Sequence, residues 1–72
     1  MKLYTKNVCP KCIWVKRELE SKGIEIDTVN ISDHPVEGQY LIGNGILAAP
    51  VLEIDGEFIT QPGEILERLG AN

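Results

Sequence analysis

Cys9-Pro10-Lys11-Cys12, set just after a short apolar stretch at the N-terminus, restricts the fold more than any other feature of the chain. These are its only two cysteines. At a helix start, this spacing lets the two sulfurs meet, and the helix N-terminus favours the sulfur at the cap as a thiolate. Pro10 suits the first helical position, where a missing N–H is no loss, which makes Cys9 the N-cap. A thiol–disulfide exchange centre is the leading expectation. A structural staple is a poor use of the pair, because closing so short a loop constrains the unfolded chain little. In a reducing compartment such pairs are more often redox-active or metal-bound.

Seventy-two residues leave room for one domain, spanning 1–72, and no second core. No apolar run approaches the roughly 20 residues that span a bilayer. Met1-Lys2-Leu3-Tyr4 does not open a signal peptide either, since charged and polar residues follow at once. The default expectation is a cytoplasmic monomer with no membrane partner. The net charge of −4 and the scatter of the seven Lys and Arg residues, without a basic stripe, argue against nucleic acid. One asymmetry stands out: Lys2, Lys6, Lys11, Lys16 and Arg17 make the cysteine end locally basic on an acidic protein.

Lys2–Thr5 is a short strand candidate. From Pro10 to Lys22 the pattern is helical, with Cys12, Val15, Lys16 and Leu19 on one face and Gly23 placed as the stop. Ile24–Ile31 reads as a second strand, parallel to the first through a right-handed crossover. Ser32 or Asp33 can cap a second helix, with Pro35 near its start and Gly43-Asn44-Gly45 after Ile42. Val51–Ile54 and Glu57–Thr60 flank the hairpin signal Asp55-Gly56. Pro62 opens a last helix to Leu69, with Ile65, Leu66 and Leu69 inward. The order β-α-β-α-β-β-α predicts an α/β fold: a four-stranded mixed sheet, two helices on one face and the middle helix on the other. Tyr40, Leu41 and Ile42 read as core, Trp14 as slightly favouring packing over partner contact, and His34 as a surface or cap residue.

That order, with C-x-x-C at the first helix, resembles the thioredoxin fold in its minimal form, as found in glutaredoxins and the glutaredoxin-like NrdH-redoxins. The matching residues are Tyr4-Thr5-Lys6-x-x-Cys9-Pro10-Lys11-Cys12, Leu19, Lys22-Gly23, Ala49-Pro50-Val51 and Ile54-Asp55-Gly56. The resemblance covers essentially the whole chain. It implies a cis bond before Pro50, facing the cysteines, with Ala49 offering backbone groups to an extended substrate; only an Xaa-Pro bond makes cis cheap. It also implies substrate contacts from Lys6, Pro10, Lys11, Thr60 and Gln61. The chain departs from the family in places. Lys11 stands where glutaredoxins commonly have Tyr, and Ala48-Ala49-Pro50 replaces Thr-Val-Pro. Thr60-Gln61-Pro62-Gly63-Glu64 replaces the Gly-Gly-x-Asp that holds the γ-glutamyl end of glutathione, with Gly63 at the aspartate position. The Trp-Ser-Gly-Phe-Arg-Pro stretch of NrdH-redoxins is missing too. The electron source is accordingly either glutathione or thioredoxin reductase, with no cofactor bound.

The expected chemistry gives the sulfurs unequal roles. Cys9, capping the helix and more exposed, attacks a target disulfide; Cys12, one turn in and more buried, displaces it to leave an intramolecular bridge. Lys6 and Lys11 add positive charge beside Cys9. The partners expected are protein disulfides, with ribonucleotide reductase the natural target of an NrdH-like protein. The rival class is a metal or iron–sulfur carrier using Cys9. Two cysteines and one distant His fall short of a four-ligand zinc site, so no metal site is assigned within the chain.

Overall fold

The computed structural model describes residues 1–71. Its elements run β1 (Lys2–Thr5), α1 (Pro10–Ser21), β2 (Asp27–Asn30), α2 (Pro35–Gly43), β3 (Val51–Ile54), β4 (Glu57–Ile59) and α3 (Pro62–Arg68). The strands lie in the order β2-β1-β3-β4. β1 pairs parallel to β2 and antiparallel to β3, and β3 pairs antiparallel to β4. This is the four-stranded mixed sheet and three-helix order of the thioredoxin-like fold, as the sequence predicts.

Register divides the two faces. Leu3 stands opposite Leu52, while Tyr4 faces Val51 and Lys2 faces Glu53. Side chains alternate along each strand, so Leu3 and Leu52 share one side of the sheet and Tyr4, Val51, Lys2 and Glu53 share the other. On the first side Leu3 and Leu52 pack with Val15 and Leu19 of α1 and Ile65 and Leu66 of α3. On the second, Tyr4 and Val51 pack with Leu41 of α2. Each fully buried aliphatic side chain contributes roughly 1.5–3 kcal/mol by leaving water, which is how so small a sheet holds two layers of helix.

Three departures from the sequence reading have physical causes. β2 starts at Asp27, not Ile24, because Ile24 belongs to the end of α1. Its N–H bonds the Leu19 carbonyl at 2.9 Å while Gly23 N–H bonds Glu20 at 3.0 Å. This doubly bonded helix stop is the Schellman pattern, and it turns Ile24 back onto the core. α2 ends the same way, with Ile46 N–H on Leu41 and Gly45 N–H on Ile42, each at 2.9 Å. Gly45 has φ +78, where a Cβ would be costly, so it is Gly45 that closes the helix and launches the loop toward β3. The N-cap of α2 is His34, whose side chain does not cap it; Ser32 and Asp33 lie too early. Finally, of the three consecutive apolar residues only Leu41 is core, with Tyr40 and Ile42 exposed. A helix turns about 100° per residue, so three neighbours cannot all face inward.

Tyr40 nonetheless ties α2 to the sheet by its hydroxyl. Glu53 accepts hydrogen bonds from Tyr4 Oη at 2.6 Å and from Tyr40 Oη at 2.7 Å, one on each carboxylate oxygen. These two donors hold the Glu53 carboxyl below its ordinary value of 4.5, the Tyr4 bond counting most. Burial and the same carboxylate push the Tyr4 phenol up. A carboxyl with a depressed pKa in the folded state adds stability that is complete above its unfolded pKa and fades as pH falls through the folded one. Urea unfolding between about pH 6 and pH 3 should therefore show declining stability that is shallower in Glu53→Gln. An unchanged slope in that variant would contradict the role given to this carboxylate.

Candidate active site

α1 places the first sulfur. Cys9 has extended backbone (φ −131, ψ 94), and its Sγ accepts a hydrogen bond from the Cys12 backbone N–H at 3.2 Å. The sulfur thus does the work of the Ser or Asp oxygen at an ordinary N-cap. Pro10 occupies the first helical position, where no donor is needed. Ile13 N–H reaches back to the Cys9 carbonyl at 3.0 Å, which starts the helical ladder. Cys12 lies one turn in on the buried face with Val15 and Leu19. The two sulfurs are at disulfide-bonding distance, with Cα atoms 5.2 Å apart, inside the range such a bridge requires.

The expected contrast in exposure is small. Cys9 is 5% exposed and Cys12 2%, so both sulfurs are buried in the bridged form. The carbonyl oxygen of Ala49 lies 3.8 Å from Cys9 Sγ. The Ala49–Pro50 peptide bond is cis, as the resemblance implied, and Pro50 is fully buried. What separates the sulfurs is hydrogen bonding: Cys9 receives a backbone donor and Cys12 lies against the core.

Other candidates divide into two groups. Lys6 and Lys11 are exposed on the segment that carries the cysteines. Thr60 is half-buried and Gln61 exposed where β4 passes into α3; Gln61 is the N-cap of α3, and its carbonyl accepts from Ile65 N–H. Among the described residues no hydrogen bond joins the Thr60 or Gln61 side chain to the cysteine segment. Trp14 is 47% exposed, so the packing expected of it is not found.

Sequence reasoning missed the braces of the cysteine loop. Asn7 N–H donates to Ser32 Oγ at 3.0 Å, Asn30 Nδ2 donates to Asn7 Oδ1 at 2.8 Å, and Ser32 N–H donates to Asn30 Oδ1 at 2.9 Å. This closed set ties the loop before Cys9 to the end of β2. The only signal in the sequence was the habit of Asn and Ser in loops of bonding nearby backbone, and that habit does not name distant partners. The loop also holds Val8 at φ 51, an unusual state for a β-branched residue.

A capped sulfur that can bond a second one a turn later, opposite a cis-proline, defines a thiol–disulfide oxidoreductase built on the thioredoxin fold. The family model described as Glutaredoxin matches residues 1–59. The chain belongs to the glutaredoxin family. It is 38% identical over 53 residues to Glutaredoxin-like protein NrdH of Lactococcus lactis subsp. lactis (strain IL1403), covering 74% of each chain. To Glutaredoxin-like protein NrdH of Salmonella typhimurium it is 36% identical over 50 residues, 69% of this chain and 62% of the relative. The solved structure of the glutaredoxin-like protein NrdH-redoxin from Escherichia coli, reported for its thioredoxin-like activity profile, superposes with a TM-score of 0.81 at 26% identity. That match covers 94% of this chain and 91% of the other.

Reduced protein exposed to limiting iodoacetamide near neutral pH should be alkylated at Cys9 at least about tenfold faster than at Cys12, by peptide mass. Equal labelling would contradict the inequality of the two sulfurs.

Proposed function

We propose that the protein is a dithiol electron donor to disulfides in other proteins. The observation that carries this reading is the Cys9 sulfur, held at the helix N-cap by the Cys12 N–H, within bonding distance of Cys12 and 3.8 Å from the Ala49 carbonyl. In the first step the Cys9 thiolate attacks one sulfur of the target disulfide. A Cys9–target bond forms, the target S–S bond breaks, and the departing target sulfur takes up a proton. In the second step the Cys12 thiol loses its proton and attacks Cys9 Sγ. The Cys9–Cys12 bond forms, the mixed disulfide breaks, and the second target thiol is released. Two electrons pass to the target, and the protein is left oxidised in the bridged form seen here. Ala49 supplies backbone groups to the target segment, and Lys6 and Lys11 supply positive charge. Pro10 stiffens the turn between the sulfurs, and Thr60 and Gln61 border the substrate.

The thioredoxin-like activity profile stated for the Escherichia coli NrdH-redoxin supports thioredoxin reductase over glutathione as the electron source. The Gly63 that occupies the glutaredoxin aspartate position supports the same choice. Ribonucleotide reductase is the target this reading implies, and the work is done in the cytoplasm by a monomer with no bound cofactor. A cluster-carrying role would need outside thiols to complete the ligands of Cys9.

Oxidised protein mixed with NADPH and thioredoxin reductase should turn over, while glutathione with glutathione reductase should give a rate at least about tenfold lower. Turnover with the glutathione system alone would overturn the choice of reductant. Cys12→Ser should accumulate a mixed disulfide through Cys9 with a protein substrate such as insulin, and Cys9→Ser should form none. Adduct formation through Cys12 in Cys9→Ser would reverse the assignment of roles.

A further inference from the structure

α2 turns an unusual face to solvent. Residues 38–52 contain no charged side chain, the longest such run in a chain that is 25% charged. Surface helices ordinarily carry charge on the side away from the core. α1 does so with Lys16, Arg17 and Glu20, and α3 with Glu64 and Glu67, all exposed. In α2 the exposed stripe is Val36, Gln39, Tyr40 and Gly43, at the i, i+3, i+4, i+7 spacing of one helix face. Val36 is 78% exposed and Tyr40 44%. Glu37, the one charge on the helix, is half-buried, in a cleft that Val36 and Tyr40 share with Lys2, Tyr4 and Glu53. There Lys2 and the two tyrosine hydroxyls on Glu53 offset the carboxylates.

Gly43 adds a second, independent observation. It is helical, with none of the positive φ that calls for glycine, and a Cβ there would meet nothing within 4 Å. Its own fold has no need of glycine, which weakens a helix relative to alanine. A missing side chain on an exposed helix face lets another molecule come close. The stripe is also complementary to itself. Consider a second α2 laid antiparallel, with the two-fold axis between residues 39 and 40. Val36 of each copy then meets Gly43 of the other, and Gln39 meets Tyr40. The protruding valine faces the gap left by the glycine. Each copy carries a net charge of −4, so a two-fold contact is favoured where no charged side chains are brought face to face.

We propose that the Val36, Gln39, Tyr40 and Gly43 stripe binds a second copy of this chain as an antiparallel, two-fold helix pair. The nine residues of α2 make about 14 Å of helix, short of the roughly 800 Å² per partner that stable complexes bury. The pair is therefore weak and quickly reversible, and the single chain remains the unit of the exchange proposed above. Tyr40 bonds Glu53, which stands opposite Lys2 at the start of β1, whereas the cysteines follow the end of β1. Pairing through α2 thus leaves both cysteine sites open.

The test is sedimentation equilibrium of the oxidised protein, whose two cysteines are already joined and cannot link copies. Between about 10 μM and about 1 mM the average mass should rise toward that of two chains. Val36→Glu sets two carboxylates into the contact at a position that its own fold leaves exposed. Its dissociation constant should be at least about tenfold higher. Gly43→Leu fills the gap that receives Val36 and should weaken pairing as much. Its thermal midpoint should hold or rise, because the space around Gly43 is open and leucine favours helix. Wild-type protein with the mass of one chain throughout would overturn the inference and leave the exchange reading untouched. Association that survives both substitutions would overturn α2 as the contact, and masses beyond two chains would overturn the two-fold pair. A lower thermal midpoint in Gly43→Leu would show that the fold itself needs this glycine and overturn its role in pairing.

Discussion

The hydrogen bond from the Cys12 N–H to Cys9 Sγ, 3.2 Å long, is the interaction on which the site depends. A helix start leaves backbone N–H groups without partners, and here one of them is satisfied by sulfur. A thiolate accepts such a bond better than a thiol, and it also meets the positive end of the helix dipole. In the exchange chemistry proposed above, the cap and the attacking group are one atom. The rest of α1 keeps it in place: Val15 and Leu19 bury against Leu3, Leu52 and the α3 residues Ile65 and Leu66, so the helix cannot shift without opening the core.

The other half of the site is delivered from the far side of the sheet. α2 is held by Leu41 in the second core and by Tyr40 on the Glu53 carboxylate that Tyr4 shares. Its end at Gly45 and Ile46 sends the chain into the segment that carries Ala49 and the cis bond to Pro50. The sheet register thus positions both walls, since β1 leads into the cysteine loop and β3 leaves the cis-proline. Each wall is anchored in a different core.

Much of this was legible in the sequence, for specific reasons. β1, β3 and the Asp55-Gly56 turn were found with their bounds, because local chemistry decides them; Asp55 and Gly56 both take the positive φ that a tight hairpin needs. The cap at Cys9 followed from Pro10 and the spacing alone. The apolar character of Ile24 suits both a strand and the closing contact of a helix stop, and only the bond to Leu19 separates them. The apolar triplet Tyr40-Leu41-Ile42 gives no helical phase, so the sequence does not show that only Leu41 turns inward. The Asn7–Asn30–Ser32 braces and the sharing of Glu53 join residues far apart in the chain, and a single sequence does not show such pairings. The positive φ of Val8 has no signature in its residue type.

The proposed exchange requires that the helix cap make Cys9 a thiolate under working conditions. The most direct measurement is the ultraviolet thiolate absorbance of the reduced protein as a function of pH, with Cys12→Ser used to isolate Cys9. Cys9 should ionise well below the pH at which the same thiol ionises in denaturant. Coincident curves in the folded and unfolded protein would contradict it.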